Sequence, residues 1–153
     1  MRPFSELEGM NVSFMEDKGL KFALVNLTEN ILNKGIFDAT KQIATFLKES
    51  EIHDFSSQNP GDKAQVPTHF LTFKENIDTT SSLYRAGTRG DKRMWFGKET
   101  YEIVDDDDIC AILAFNKELY VINITAVDVE FCTRSSIPNP IKTLILDILS
   151  KTK

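Results

Sequence analysis

Apolar residues recur at two different periods along this chain. Ala39, Ile43, Phe46 and Leu47 are spaced for one face of a helix, with Lys41, Gln42, Lys48 and Glu49 on the other. Asp38 stands where an N-cap belongs, so the pattern predicts a helix over about Asp38–Ser50. A second helical stripe, Ile141, Leu144, Ile145 and Ile148, follows Asn139 and Pro140, with proline at the first helical position. Between these helices the spacing tightens into short runs bounded by turn residues. They are Val66–Phe73, opening at Pro67 where a missing N–H is tolerable, then Thr79–Tyr84, Met94–Phe96, Tyr101–Val104, Ile109–Phe115 and Leu119–Ile124. Asn116, Lys117 and Glu118 turn the chain between the last two. Nearer the N-terminus, Val12–Phe14 and Leu20–Val25 flank Glu16-Asp17-Lys18-Gly19, which reads as a hairpin turn. Leu27–Leu32 adds a short helical turn broken near Gly35, and Met1–Glu8 reads as a tail or linker remnant. The pattern predicts a mainly β fold with flanking helices (α+β), a small barrel or curled sheet. Residues 1–35 read as an N-terminal extension to a domain of residues 36–153.

Two long polar loops interrupt the strands, Asp54–Gln65 and Arg85–Arg93. They precede and follow the same pair of strands, so antiparallel pairing would set both at one rim of the sheet. The first offers Ser56, Ser57, Gln58, Asn59, Lys63 and Gln65. Asn and Gln match the N6/N7 edge of adenine, and Arg and Lys match the O6/N7 edge of guanine, although any surface turn carries such residues. The second lies within the stretch Leu83–Lys98, where Arg85, Arg89, Lys92, Arg93 and Lys98 stand against one acid, Asp91. Five cations against one anion give this stretch +4, while the whole chain carries −5. Gly87 and Gly90 let the backbone bend, and Tyr84, Met94, Trp95 and Phe96 are expected to anchor its two ends in a core. Such a loop presents guanidinium groups to a polyanion, or else is a solvated hairpin whose charges keep it soluble. Asp91 either holds an arginine fork in position or accepts from cytosine N4, and the first is preferred because a bare acid repels phosphate.

Composition narrows the remaining chemistry. A chain of 153 residues, 41% hydrophobic and 27% charged, fits one ordinary domain. No run approaches the ~18 apolar residues of a membrane span, and there is no signal-peptide core. Two cysteines form no disulfide framework, Cys110 lies inside an apolar run, and a reducing cytoplasm is the expected location. The acids Asp105–Asp108 alternate faces if extended and so cannot converge on one ion; they read as a solvated turn. His53 and His69 have no lysine two positions on, as a phospholipase-D-type nuclease would need, and read as structural. Glu16-Asp17-Lys18 matches half of a metal-dependent nuclease signature but lacks an upstream aspartate. No catalytic residue, metal ligand or cofactor is therefore expected. The rival readings are a small metal-dependent nuclease using Asp105–Asp108 with Glu118, and a protein-interaction module whose basic loop docks an acidic partner.

Thr88-Arg89-Gly90-Asp91-Lys92-Arg93 resembles the Thr-Arg-Asn-Glu-Lys-Arg arm of the EcoRII-type effector-binding domain. A closer likeness is to the C-terminal domain of NgoFVII-family type II restriction endonucleases. It rests on Ile52-His53-Asp54-Phe55, Ser57-Gln58-Asn59-Pro60-Gly61, Ser82-Leu83-Tyr84-Arg85 and Gly90-Asp91-Lys92-Arg93-Met94-Trp95-Phe96, in order, within about Phe37 to Asn123. The resemblance implies a B3-like pseudobarrel whose two arms grip the major groove and read a short DNA site, with nuclease chemistry in a separate catalytic domain or subunit. Carried over, one arm lies within Ser56–Gln65 and the other within Arg85–Lys98. The expected DNA contacts are Ser57, Gln58, Asn59, Lys63 and Gln65 on the first, and Arg85, Thr88, Arg89, Asp91, Lys92, Arg93 and Lys98 on the second. The expected partner is double-stranded DNA, with no cofactor and no membrane.

Overall fold

Seven strands hydrogen-bond into one curled sheet in the computed structural model, which describes residues 1–87 and 89–151. In chain order the elements are α1 (Glu6–Asp17), β1 (Ala23–Leu27), α2 (Glu29–Lys34), β2 (Phe37–Asp38), α3 (Lys41–Glu49), β3 (Lys63–Leu71), β4 (Asn76–Arg85), β5 (Lys92–Phe96), α4 (Lys98–Tyr101), β6 (Asp108–Phe115), β7 (Glu118–Asn123), α5 (Val129–Arg134) and α6 (Pro140–Lys151). The strand order is β1-β6-β7-β3-β4-β5-β2, antiparallel except for β3 beside β7. The curl follows from connectivity. β1 and β2 lie at opposite margins, yet only residues 28–36 join them. A link of that length, mostly helical, reaches roughly 20 Å. A flat seven-stranded sheet would hold its margins about 29 Å apart. The sheet must bend into a half-barrel, and a cleft of about 820 Å³ lined by Leu24, Val25, Phe37 and Asp38 remains between the two margins.

Strand alternation divides the apolar residues between two cores. Inside the curl, Val25, Leu27, Phe70, Leu83, Met94, Phe96, Ile112 and Val121 meet Ile43, Phe46 and Leu47 of α3. Outside, Leu24, Ile109, Ala111, Leu113 and Ile122 pack under Phe14 and Met15 of α1, Val129 and Cys132 of α5, and Ile141, Leu144 and Ile145 of α6. β6 is thus buried on both faces. The outer face of β4 and β5 contributes to neither core. No helix among the described residues is long and apolar enough to cross a membrane.

Several elements sit where the pattern put them. α6 starts at Pro140, with Asn139 Oδ1 accepting from the Lys142 amide. β6 and β7 are joined by a tight turn with positive φ at Asn116 and Lys117. α2 ends at Gly35 in the left-handed conformation. α3 starts later than expected: Thr40 caps it, and Asp38 belongs to β2, opposite Arg93. β3 starts earlier, and Pro67 falls one residue before its ladder to β7 begins at Thr68, where β3 has a neighbour on one side only.

Others are corrections. The expected hairpin of Val12–Phe14 with Leu20–Val25 does not form, because residues 12–14 lie in α1. Ser5 nucleates that helix: its hydroxyl accepts from the Glu8 amide while the Glu8 carboxylate accepts from the Ser5 amide, a capping box. Nor are residues 1–8 a loose tail. Arg2 forks onto Glu8 at 2.8 and 2.6 Å and donates to the Asp107 carbonyl at 2.8 Å. Residues 1–35 supply α1, β1 and α2, and β1 pairs with β6 along five residues. Residues 101–104 are not a strand; Tyr101 ends α4, where its hydroxyl donates to the Gly35 carbonyl and accepts from the Phe96 amide. α5, capped by Asp128, was not anticipated.

Candidate nucleic-acid interface

The β3–β4 hairpin turns at residues 72–75, and at its other end Lys63 pairs with Tyr84. The loop entering β3 and the loop leaving β4 therefore emerge together at one rim, as antiparallel pairing requires. They do not stand apart like pincers. The Gly61 amide donates to the Arg85 carbonyl at 2.7 Å and the Arg85 amide to the Asp62 carbonyl at 3.1 Å, so the ladder zips their bases together. Gly61 permits this with φ +92°.

Two of the residues read as DNA contacts hold this junction instead. Arg85 Nη1 donates to the carbonyls of Phe55 (3.0 Å) and Gln58 (2.9 Å), and its Nε donates to that of Gly90 (3.0 Å). Gln58 Nε2 donates to the carbonyls of Asp62 and Leu83, and its Oε1 accepts from His53 Nε2 at 3.0 Å. His53 stands edge-on to the buried Phe55 ring. Both side chains tie one loop to the other. Residue type gave no hint of this, because an arginine bonded to carbonyls and one aimed at phosphate look alike in sequence.

The guanidinium loop closes on itself through Ala86 N–Asp91 O (2.9 Å) and Gly90 N–Ala86 O (2.8 Å). Gly90 has φ +70°, and a Cβ there would stand 2.6 Å from Arg85 Nη2. Arg89 is 81% exposed. Asp91 lies between Arg89 Nε (4.0 Å) and Arg93 Nη2 (3.6 Å), near enough to bias both but too far to hydrogen-bond either. Lys92 is exposed, and Thr88 lies outside the described residues. On the other loop Asn59, Lys63 and Gln65 are exposed. Ser57 donates to Asp54, whose carboxyl is held below its ordinary pKa chiefly by the Ser56 hydroxyl. Lys98 is not part of the rim: it begins α4, the full length of β5 away from Lys92.

Tyr84 and Trp95 depart from expectation. Met94 and Phe96 are buried, but Tyr84 and Trp95 alternate with them and with Leu83 onto the uncovered outer face. The strand period carried this signal. Elsewhere the acids of residues 105–108 scatter. Asp108 Oδ2 accepts from the Asp105 amide and Asn123 Nδ2, while Asp107 pairs with Arg2 and Asn26. His69 cross-links three strands, bonding Asp78 of β4 at 2.7 Å and Glu118 of β7 at 2.5 Å, with its ring stacked on Tyr120. This is an α+β protein built on a curled seven-stranded sheet with one basic, amide-bearing rim. No family model, no curated protein and no solved structure matches the chain.

Proposed function

We propose that this chain is a sequence-specific double-stranded DNA recognition module of the B3-like pseudobarrel kind that serves type II restriction endonucleases. It is not catalytic itself, and cleavage belongs to a separate nuclease domain or subunit. The observation that carries the reading is the rim. Arg89 and Asn59 on the two loops, and Lys92, Arg93, Lys63 and Gln65 at the adjoining ends of β5 and β3, stand exposed or half-exposed at one end of the sheet, on loop bases locked by the Arg85 and Gln58 side chains. Rigid, donor-rich loops of this kind suit base edges and phosphates. Because the loops are joined, the rim enters the groove as one ridge rather than closing around it. Arg89 and Arg93 read bases, Asp91 sets their angle, and Lys92 and Lys63 neutralise phosphate.

A short site selected from a random duplex library at fixed salt provides the test. Arg89→Ala is expected to lose about 1–3 kcal/mol on that site and relax its specificity. Lys92→Ala weakens all sequences alike and lowers the salt slope by about one. Equal losses on selected and random duplexes for Arg89→Ala would remove the base-reading role. No salt-dependent duplex binding by the unaltered chain would remove the whole reading.

A further inference from the structure

Beside the rim, the outer face of β3, β4 and β5 carries a feature the fold does not need. Register places Lys63, Tyr84 and Arg93 in one row across the three strands, and Gln65, Ser82 and Trp95 in the next. Tyr84 and Trp95 meet edge to face with ring centroids 6.1 Å apart, and the Lys63 ammonium lies 5.8 Å from the centre of the Trp95 ring. Neither aromatic belongs to a core, and the outer helices lie over β1, β6 and β7 instead. Both rings are half-buried; single surface aromatics are common, but an aromatic pair topped by a cation on a sheet face that no helix covers is an arrangement suited to recognition.

We propose that this face is a stacking platform for an unpaired nucleobase of single-stranded DNA. Trp95 takes the base on its face and Tyr84 borders the base edge. The Lys63 ammonium now sits where the base would stack. Its flexible stem lets it swing aside to the adjoining phosphate, so the ring exchanges one cationic neighbour for a base with its charge still neutralised. Arg93 is the lesser phosphate ligand, because Asp38 stands opposite it and Asp91 lies 3.6 Å from its Nη2. The acids fix the direction of the strand. Asp78 and Glu118 flank His69 at the far end of the face and repel phosphate, so the strand leaves toward Lys92 and Arg89. This site shares Lys63 and Arg93 with the proposed duplex interface but is told apart by Trp95, whose ring a base stacked within a duplex does not reach.

Trp95 is the sole tryptophan, so its fluorescence reports this face alone. The full chain is titrated at low salt with an oligothymidylate of eight nucleotides, with an abasic chain of equal length, and with the same oligothymidylate annealed into a duplex. Oligothymidylate is expected to quench Trp95 saturably, the abasic chain to bind more weakly without comparable quenching, and the duplex to leave the fluorescence largely unchanged. By anisotropy of labelled oligothymidylate, Trp95→Ala weakens binding about 5- to 150-fold, with Trp95→Phe in between. Tyr84→Leu keeps the reporter and also weakens binding, while Lys63→Gln weakens oligothymidylate and abasic chain alike. Absence of quenching by oligothymidylate would overturn the platform. So would an abasic chain or a duplex that quenches as well as it does, or a Trp95→Ala chain of unchanged affinity.

Discussion

Replacing Arg85 by alanine should loosen the rim without unfolding the half-barrel. The guanidinium makes three charge-assisted bonds at 2.9–3.0 Å, to the carbonyls of Phe55, Gln58 and Gly90, from a half-buried position. Losing one such bond costs roughly 1.5–3 kcal/mol. The three are not additive, because they share one side chain. Phe55 also keeps the Gln58 amide as a partner, and water can reach the freed carbonyls. The expected cost is about 2–4 kcal/mol, nearly all of it local. The backbone bonds of Gly61 and Asp62 to Arg85 survive in the variant, so the loops fray rather than separate. Amide hydrogen exchange is the assay. The amides of Gln58, Gly61 and Gly90 should exchange about 30- to 900-fold faster, while those of β6 and β7 in the core hold their rates until global unfolding. Arg85→Lys restores the charge but not the fork and recovers only part of the protection. Unchanged exchange at Gly61 and Gly90, with the whole molecule destabilised instead, would refute the clamp.

Three further outcomes follow from the same geometry. Gly90→Ala should reproduce the Arg85→Ala exchange pattern at a cost of about 1–3 kcal/mol, since the new Cβ is strained at φ +70° and displaces Arg85 Nη2; unaltered exchange would contradict it. Glu8 is buried, and its hydrogen bonds from Arg2 above all, then from Thr125 and the Ser5 amide, hold its pKa at about 2 against an ordinary 4.5. A depressed carboxylate contributes stability that is full above 4.5 and lost as pH falls toward 2. The shift corresponds to about 3 kcal/mol, nearer ~2 once the solvent-open Arg2 is allowed for. Urea unfolding of Glu8→Gln should therefore lack most of the loss between pH 5 and 2, and an unchanged pH profile would argue against the role. For His69, burial lowers the pKa, but the hydrogen bonds to Glu118 and Asp78 outweigh it and the net shift is upward. Its contribution is full below about 6.5 and fades as pH rises through the raised folded value. His69→Gln should flatten stability across that range, and an imidazole that titrates at or below 6.5 by NMR would defeat the claim.

Periodicity exposed α3 and α6 because each buries one apolar face, and the β3–β4 and β6–β7 hairpins because their apolar and β-branched residues recur at strand spacing, broken on the inner face of β3–β4 by the buried Thr68–Ser81 pair. α1 stayed hidden for the opposite reason. Two of its buried residues, Glu8 and Asn11, are polar: Glu8 binds Arg2 and Thr125, and Asn11 binds the backbone at Ile124, Val127 and Val129. The legible clue was the Ser5–Glu8 capping box rather than any hydrophobic pattern. α5 shows its Phe131 to solvent, which broke its pattern too. At the rim, topology was readable because one hairpin fixes where both loops emerge. Which donors remain free was not, since that depends on where backbone carbonyls gather. The inward turn of Arg85 and Gln58 could not be told from the outward turn of Arg89 and Asn59. Tyr84 and Trp95 could have been placed from their alternation with Leu83, Met94 and Phe96.

The short strap of residues 28–36 also guards the protein against its own kind. By drawing β1 and β2 round to line the two sides of one cleft, it leaves neither border of the sheet as a flat, open edge for another strand to join. A long flexible insertion there should let the half-barrel splay and offer two open borders to an adjacent copy. The helix inside that strap therefore acts as a drawstring, and its brevity helps keep the molecule from polymerising through its sheet.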